Sequence, residues 1–307
     1  MPGWGDVLQE IQLLQIQGRS DAFDVVRRKY LADLSRLTGR NTIAYYSGFL
    51  SKPGVQGSEI TDEDKNGFMA VVQGMDRAQG LDLLLHTPGG ETAATQSIVD
   101  YLRRMFGTNI RAVVPQIAMS AGTIVACSCR EMLMGSQSNI GPIDPQLRGI
   151  PAYGVLEEFK RAFAEIKSDP TRAQIWQVII AQYRPTFLGQ CDNAIKWSNA
   201  FVRQQLAAVM FAGDPDALAK AREVVRRLTD YRGNRTHDRH INIDECLAMG
   251  LKVVRLEDDQ ALQDLVLTVH HCYMHTLGNT GAVKIIENQK GVAAMKLLQM
   301  QVHGAVP

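Results

Sequence analysis

The sequence lacks several features that would assign it to a specialised class of protein. It has only five cysteines in 307 residues, an odd number, and no two pairs of them have the spacing of zinc ligands. This usage is typical of a reducing compartment, in which disulfides are rare. Cys127 and Cys129 lie within an apolar stretch, so we interpret them as small core residues.

Neither sign of charge dominates, and no apolar run is long. The 33 Lys and Arg against 32 Asp and Glu leave a net charge of +1, which argues against nucleic acid or an anionic membrane surface as a partner. No stretch reaches eighteen apolar residues, so no membrane span is expected. The N-terminal residues have no basic start followed by an apolar run, unlike a signal peptide. These absences predict a cytoplasmic globular protein.

Patterns typical of strands and helices alternate in the first half of the chain. The predicted strands are 41–47, 81–86, 112–114 and 131–134, and the predicted helices between them are 61–78, 91–106 and 123–128. Strands that alternate with helices pair in parallel, which predicts the α/β class.

The whole chain divides into four parts of different character. We predict N-terminal helices over 1–40, a catalytic core over 41–150, a helical insertion or arm over 151–233, and completion of the core with a C-terminal helix and tail over 234–307. The arm's expected apolar anchors are Phe159, Phe163, Ile166, Trp176, Ile179 and Tyr183. After a turn at 278–281, the tail is predicted as a peripheral strand and helix with weak order at its end.

One serine occupies a position that suits a nucleophile. Ser120 follows the strand before Pro115 and precedes the predicted helix. Its hydroxyl would lie near free N–H groups of the first helical turn, which can stabilise an oxyanion. The same position is common for a serine that only caps a helix, and this stretch by itself leaves both interpretations open.

A glycine turn thirty residues earlier strengthens the interpretation as a nucleophile. Thr87-Pro-Gly-Gly90 also follows a buried strand and precedes a helix. Turns after adjacent parallel strands meet at one sheet edge, where α/β proteins bind ligands. An N–H group of Gly89 or Gly90 and that of Ala121 could therefore point at one oxygen beside Ser120.

Four motifs together resemble the serine dehydrogenase proteinase family, a branch of the Clp/crotonase superfamily related to the ClpP and SppA serine proteases. They are His86-Thr-Pro-Gly-Gly90, Ala118-Met-Ser-Ala-Gly-Thr123, Gly141-Pro-Ile-Asp-Pro-Gln146, and Thr236-His-Asp238 with Ala248-Met-Gly-Leu-Lys-Val253. The resemblance covers roughly residues 41–150 and 234–258. It implies a Clp/crotonase-like core of repeated ββα and βαβ units with a helical insertion, and assembly into homo-oligomers.

The resemblance also implies a catalytic set. Ser120 matches the nucleophile, Asp144 the acidic member and His237 the histidine, while Gly89, Gly90 and Ala121 match the oxyanion hole. A serine hydroxyl needs a base to take its proton, imidazole titrates near neutrality, and a carboxylate orients the imidazole. The implied reaction is hydrolysis of a peptide or protein substrate, with no metal and no cofactor.

The residues leave alternatives to parts of this set. Asp144 lies between two prolines, where an aspartate often bonds its own backbone in a turn. His240 competes with His237 as the base. SppA-like relatives use a serine–lysine pair, for which Lys167 and Lys196 would serve only if the arm folds over the site. His86 is expected to be a core residue or a support beside the site.

A histidine-rich segment near the C-terminus invites a metal hypothesis. His271 and His275 are one helical turn apart, next to His270 and Cys272. No third ligand has fitting spacing, so we do not expect a metal site here.

Three other functions remain compatible with the sequence. A crotonase-type acyl-CoA enzyme would also polarise a carbonyl with two N–H groups, without needing Ser120 or His237. A catalytically inactive scaffold could keep the fold. The protein could also cleave peptides only when a partner completes the site.

Overall fold

A seven-stranded mixed sheet forms the centre of the molecule. The structure is a computed structural model that describes residues 2–234 and 236–298, except for the side chains of Tyr231 and Arg232. The strands are β1 (Asn41–Ser47), β2 (Leu81–His86), β3 (Ile110–Val114), β4 (Ile117–Ala118), β5 (Glu131–Met134), β6 (Asn139–Ile140), β7 (Gln146–Leu147), β8 (Ile150–Pro151), β9 (Ile241–Asn242), β10 (Val253–Arg255), β11 (Ala282–Asn288) and β12 (Ala293–Leu297). The order in the main sheet is β10-β5-β3-β2-β1-β11-β12. The first five of these strands are parallel, and β11 and β12 extend the sheet in antiparallel fashion.

Helices cover both faces of this sheet. They are α1 (Trp4–Ile16), α2 (Ala22–Thr38), α3 (Glu63–Val72), α4 (Thr92–Phe106), α5 (Ala121–Cys127), α6 (Ala152–Ser168), α7 (Ala173–Ile180), α8 (Phe187–Gln205), α9 (Ala217–Leu228), α10 (Tyr231–Asn234), α11 (Ile243–Ala248) and α12 (Gln260–Asn279). None of these helices is long and apolar enough to cross a membrane. The architecture confirms the predicted α/β class.

Alternation along the strands separates two apolar layers. In β1, Ile43 and Tyr45 face the layer that holds α3, α4 and α5, whereas Ala44 and Tyr46 face the layer of α1, α2 and α12. Successive side chains of a strand point to opposite faces, so a strand covered on both faces is apolar almost throughout. This explains why β2 reads as a nearly continuous apolar run.

The helical insertion has two kinds of environment. A small separate cluster holds α6 to the first half of α8 through Ala152, Val155, Cys191 and Ile195. The end of α8 and all of α9 instead pack on the main core through residues such as Phe201 and Leu228.

Several predicted boundaries and contacts were wrong. The helix expected over 61–78 ends at Val72, because Gln73 is extended, with a ψ of 130°, and Gly74 follows with a φ of 72°. Phe163, an expected anchor, is 72% exposed, whereas Trp176 is buried. The helix before the tail extends through Gly278 to Asn279, since the residues packed against α2 continue to Leu277.

The tail differs from the predicted strand and helix. Its first residues form β11 and β12, and every residue of β11 is buried. The predicted weak order at the end of the tail concerns residues that lie outside those described. All five cysteines are free and buried, which confirms Cys127 and Cys129 as core residues.

Candidate active site

Ser120 lies at the junction between β4 and α5 in a backbone conformation that is rare for a side-chain-bearing residue. Its φ is 50° and its ψ is −113°, a combination that costs an L-residue about 1–3 kcal/mol. It occupies the N-cap position, but its hydroxyl makes no capping hydrogen bond and has no other partner among the described residues. The helix-capping alternative therefore fails, and the hydroxyl is left available.

The glycine turn contacts Ser120 directly. A Cβ on Gly89 would lie 2.7 Å from the Ser120 Cβ, and one on Gly90 would lie 2.3 Å from the backbone nitrogen and oxygen of Ile60. Both glycines also have positive φ values, 105° and 156°. The turn is thus wedged between Ser120 and the segment around Ile60, in space that only glycine fits.

The backbone hydrogen bonds of the turn decide which N–H groups remain free. Gly89 donates its N–H to Thr87 Oγ1 at 3.1 Å, while its carbonyl accepts the N–H of Ile60 at 2.7 Å. Because N–H and C=O point in opposite directions across a trans peptide, the Gly90 N–H points away from Ile60. Ala121 is the first residue of α5, so its N–H has no acceptor within the helix.

Asp144 and His237, 93 positions apart in the chain, meet in a hydrogen bond. Their Oδ1 and Nδ1 atoms are 2.9 Å apart, with Asp144 buried and His237 half-buried. The contact occupies Nδ1 of the imidazole and leaves Nε2 for another partner. The carboxylate is therefore engaged by a histidine rather than only by its own turn.

A small sheet brings these loops towards the serine. β4 leads to Ser120 and pairs in parallel with β6, which precedes Asp144, and β6 pairs with β9, which follows His237. Thr123 Oγ1 also accepts the N–H of Gly141 at 2.9 Å, joining the Asp144 loop to α5. Ser120 and His237 nevertheless share no hydrogen bond, and His240 is exposed.

The other candidates lie away from this arrangement or beside it. Lys196 pairs with Asp192 on the exposed arm at 2.6 Å. His86 is fully buried on the other face of the sheet, among the rings of Tyr46, Phe49 and His270. Neither of its ring nitrogens has a partner among the described residues, and burial lowers its pKa to about 3.

The histidines of α12 point to separate partners. His270 Nδ1 lies 3.3 Å from the Tyr46 hydroxyl, and His275 Nε2 lies 3.1 Å from the carbonyl oxygen of Trp4. Among residues 2–234 and 236–298, no group of three or more His, Cys, Asp or Glu side chains could hold a metal ion.

Sequence reasoning missed the residues that support the glycine turn. Thr61 to Asp64 resembles a helix start, and the Thr61 N–H does donate to Asp64 Oδ2 at 3.0 Å. That pattern does not reveal that Asp64 also pairs with Lys284, 220 positions away. A lysine within the mostly apolar strand Ala282–Asn288 could have indicated this pair, since a buried charge requires a partner.

The chain has relatives in an archaeon. Uncharacterized protein MJ0137 of Methanocaldococcus jannaschii is 28% identical over 227 residues, which are 74% of this chain and 70% of that protein. Uncharacterized protein MJ1495 of the same organism is 28% identical over 194 residues, 63% of this chain and 59% of that protein.

Two solved structures of one protease are also similar. A serine-to-alanine variant of the 1510-N membrane-bound stomatin-specific protease has a TM-score of 0.40 and 17% identity, over 67% of this chain and 79% of that one. A lysine-to-alanine variant in complex with a substrate peptide has a TM-score of 0.40 and 18% identity, over 66% and 74%.

A family model covers most of the chain and includes every motif discussed above. It matches residues 47–290, from the end of β1 through the Ser120 junction and the Asp144 loop to the strand β11. The resemblance noted in the sequence is thereby confirmed, and the chain belongs to the family of ClpP-like SDH-type serine proteinases.

Proposed function

We propose that this protein is a serine peptidase in which Ser120 is the nucleophile, His237 the general base and Asp144 the residue that orients the imidazole. The hydrogen bond between Asp144 and His237 at the sheet edge of Ser120 carries this proposal. It pairs a carboxylate with Nδ1, the pairing that holds an imidazole in the tautomer able to accept a proton at Nε2. Membership of a serine proteinase family supports the same reaction.

In the first half of the reaction, Ser120 Oγ attacks the scissile carbonyl carbon while its proton passes to His237 Nε2. The oxyanion of the tetrahedral intermediate accepts hydrogen bonds from the N–H groups of Gly90 and Ala121. His237 then donates the proton to the leaving amine, the C–N bond breaks, and an acyl ester on Ser120 remains.

In the second half, water replaces the amine. His237 Nε2 takes a proton from the water as its oxygen attacks the ester carbonyl, and the same two N–H groups stabilise the second oxyanion. The proton returns to Ser120 Oγ as the C–O bond breaks, which releases the carboxylic acid. Because Ser120 and His237 share no hydrogen bond in the free protein, this contact must form when substrate binds, as is common for catalytic hydrogen bonds.

A substrate peptide would bind on one side of the glycine turn only. Ile60 already occupies the other side, where its N–H and C=O bond to Gly89 and Glu91 at 2.7 and 2.9 Å. The remaining edge carries the Gly90 N–H, and the adjacent Gly89 packs against Ser120. An extended peptide added there would place its carbonyl between the serine and the oxyanion donors.

The alternatives make different demands on these residues. An acyl-CoA enzyme would use the two N–H groups but has no need for a buried aspartate that orients a histidine. An inactive scaffold has no need for a strained serine with an unused hydroxyl. A partner-dependent peptidase would use the same residues and would differ only in when Ser120 and His237 engage.

Labelling with a fluorophosphonate probe tests the proposal directly. We expect the wild-type protein to be labelled and to cleave members of a peptide library at neutral pH, and Ser120→Ala to do neither. Labelling that persists in Ser120→Ala would refute the nucleophile. No labelling of wild type, alone or with a cell extract as a source of partners, would favour a scaffold.

We further propose that the chain forms homo-oligomers. Exposed apolar side chains on the arm, including Phe163, Ile175 and Val178, would suit contacts between copies. A light-scattering mass equal to one chain at micromolar concentration would contradict this.

A further inference from the structure

A charged cluster lies buried beneath the segment that supports the glycine turn. Lys284 on β11 is only 2% exposed, and its Nζ donates to Asp64 Oδ1 at 2.7 Å and to the carbonyl oxygen of Glu59 at 2.6 Å. Burial lowers the pKa of this lysine, while Asp64 opposes that effect. All three donor directions of an ammonium group can be used here, since the Asp64 Oδ2 lies at 2.9 Å.

Asp64 connects this lysine to two further groups. Its Oδ2 accepts the hydroxyl of Tyr45 at 2.8 Å and the N–H of Thr61 at 3.0 Å. A buried carboxylate with several charge-assisted hydrogen bonds is held in a narrow range of positions. We call Lys284, Asp64 and Tyr45 the buried cluster.

The buried cluster holds the backbone on both sides of one residue. Glu59 supplies a carbonyl to Lys284, and Thr61 supplies an N–H to Asp64, so Ile60 between them is fixed in place. Ile60 in turn forms a parallel bridge with Gly90. Gly90 therefore rests on a segment whose position the cluster sets.

Burial and Asp64 raise the pKa of Tyr45 far above its usual value. The hydroxyl therefore stays protonated at neutral pH and keeps its hydrogen bond to Asp64.

We propose that the buried cluster is a positioning device for the oxyanion hole, which holds the Gly90 N–H at the place where the negative charge develops. This inference rests on the proposed peptidase function. An oxyanion donor must stay within a few tenths of an ångström of its working position to be effective. Stability alone does not require such a cluster, because apolar side chains of similar volume often stabilise a fold equally well.

The molecule provides a matched control for the loss of a buried charge. Asp82 is buried at the opposite edge of the same sheet, where its carboxylate accepts hydrogen bonds from Arg40 Nε and Arg111 Nη2, both at 2.6 Å. Asp64→Asn and Asp82→Asn make the same chemical change in two buried ion pairs, but only Asp64 contacts the segment under the glycine turn.

The experiment compares both variants with wild type by peptide hydrolysis and by amide hydrogen exchange of residues 87–91. We expect Asp64→Asn to lower kcat by about tenfold or more with little change in KM, and to speed exchange of this segment. Asp82→Asn should leave both unchanged at a temperature where it is folded. Lys284→Arg, which keeps the charge, should retain more kcat than Lys284→Met.

The outcomes separate this inference from the proposed function. Unchanged exchange and kcat in Asp64→Asn, or equal losses in Asp82→Asn, would overturn the positioning role. If the wild-type protein hydrolyses no peptide but Asp64→Asn still speeds exchange of residues 87–91, the buried cluster positions the glycine turn and the peptidase proposal is rejected. If Asp64→Asn does not fold, Tyr45→Phe decides by the same two measurements, since it removes a single hydroxyl.

Discussion

The two edges of the parallel sheet have opposite characters. At the amino edge, the buried carboxylate of Asp82 receives hydrogen bonds from Arg40 and Arg111, and Arg40 also donates to Asn109, so the buried charge is matched. At the carboxyl edge, Ser120 has a strained backbone, and neither its hydroxyl nor the two ring nitrogens of buried His86 have a hydrogen-bond partner among residues 2–234 and 236–298. A matched buried charge stabilises a fold, whereas backbone strain concentrates where ligands react.

The largest expected effect is a loss of activity on substitution of a residue near the carboxyl edge. If His237 is the general base as proposed, His237→Ala should lower kcat/KM by about 10³-fold or more, because Ser120 would lose the group that takes its proton. The matched control is His240→Ala, an exposed histidine three positions away, which should stay within about twofold of wild type. Steady-state hydrolysis of one peptide measures both. A large loss only in His240→Ala would assign the base to that residue instead.

The next largest effect is a loss of stability on substitution of the buried aspartate at the amino edge. Asp82→Asn should lower the free energy of unfolding by about 3 kcal/mol, because two arginines lose a buried partner. Urea denaturation measures this change. Asp192→Asn provides the control, since its pair with Lys196 is exposed and should contribute less than about 1 kcal/mol. Equal stability of the two variants would remove the distinction between the edges.

The stability of the protein should depend on pH through His86 at the carboxyl edge. The pKa of His86 is lowered to about 3 by burial, from 6.5 in the unfolded chain. Between these values the unfolded chain binds a proton that the folded protein does not, so stability falls as pH decreases from 6.5. At pH 5 the loss attributable to His86 is about 2 kcal/mol.

Substitution of the imidazole tests this effect. His86→Phe should lose less stability than wild type between pH 7.5 and pH 5, as measured by urea denaturation at both values. An identical pH dependence in the two proteins would show that His86 is not the source of the acid sensitivity.

The smallest effect concerns strain at the serine. Ser120→Gly should raise the free energy of unfolding by about 1 kcal/mol, because glycine adopts the observed backbone angles readily, while activity is lost. Ser120→Ala keeps a Cβ in the same conformation, so it should lose activity without gaining stability. Thermal unfolding of both variants separates strain from loss of the hydroxyl. A similar gain in both would mean that the backbone strain costs little.

Much of the secondary structure could be predicted from local patterns. The strands 41–47, 81–86 and 131–134 have the predicted bounds, because buried apolar runs between turn residues are unambiguous over short distances. The tail was harder, since β12 has half-exposed residues and pairs only with β11. Its strand character depends on a partner that the local sequence does not reveal.

The sequence by itself determined the α/β class, the family and the positions of Ser120 and the two glycines, because strand patterns and glycine turns act over a few residues. Only the tertiary structure decided that Asp144 meets His237, that the Gly89 N–H is engaged while that of Gly90 points away from Ile60, and that Lys284 lies under this turn. Such contacts join residues far apart in the chain, and their geometry follows from how strands pair and layers pack.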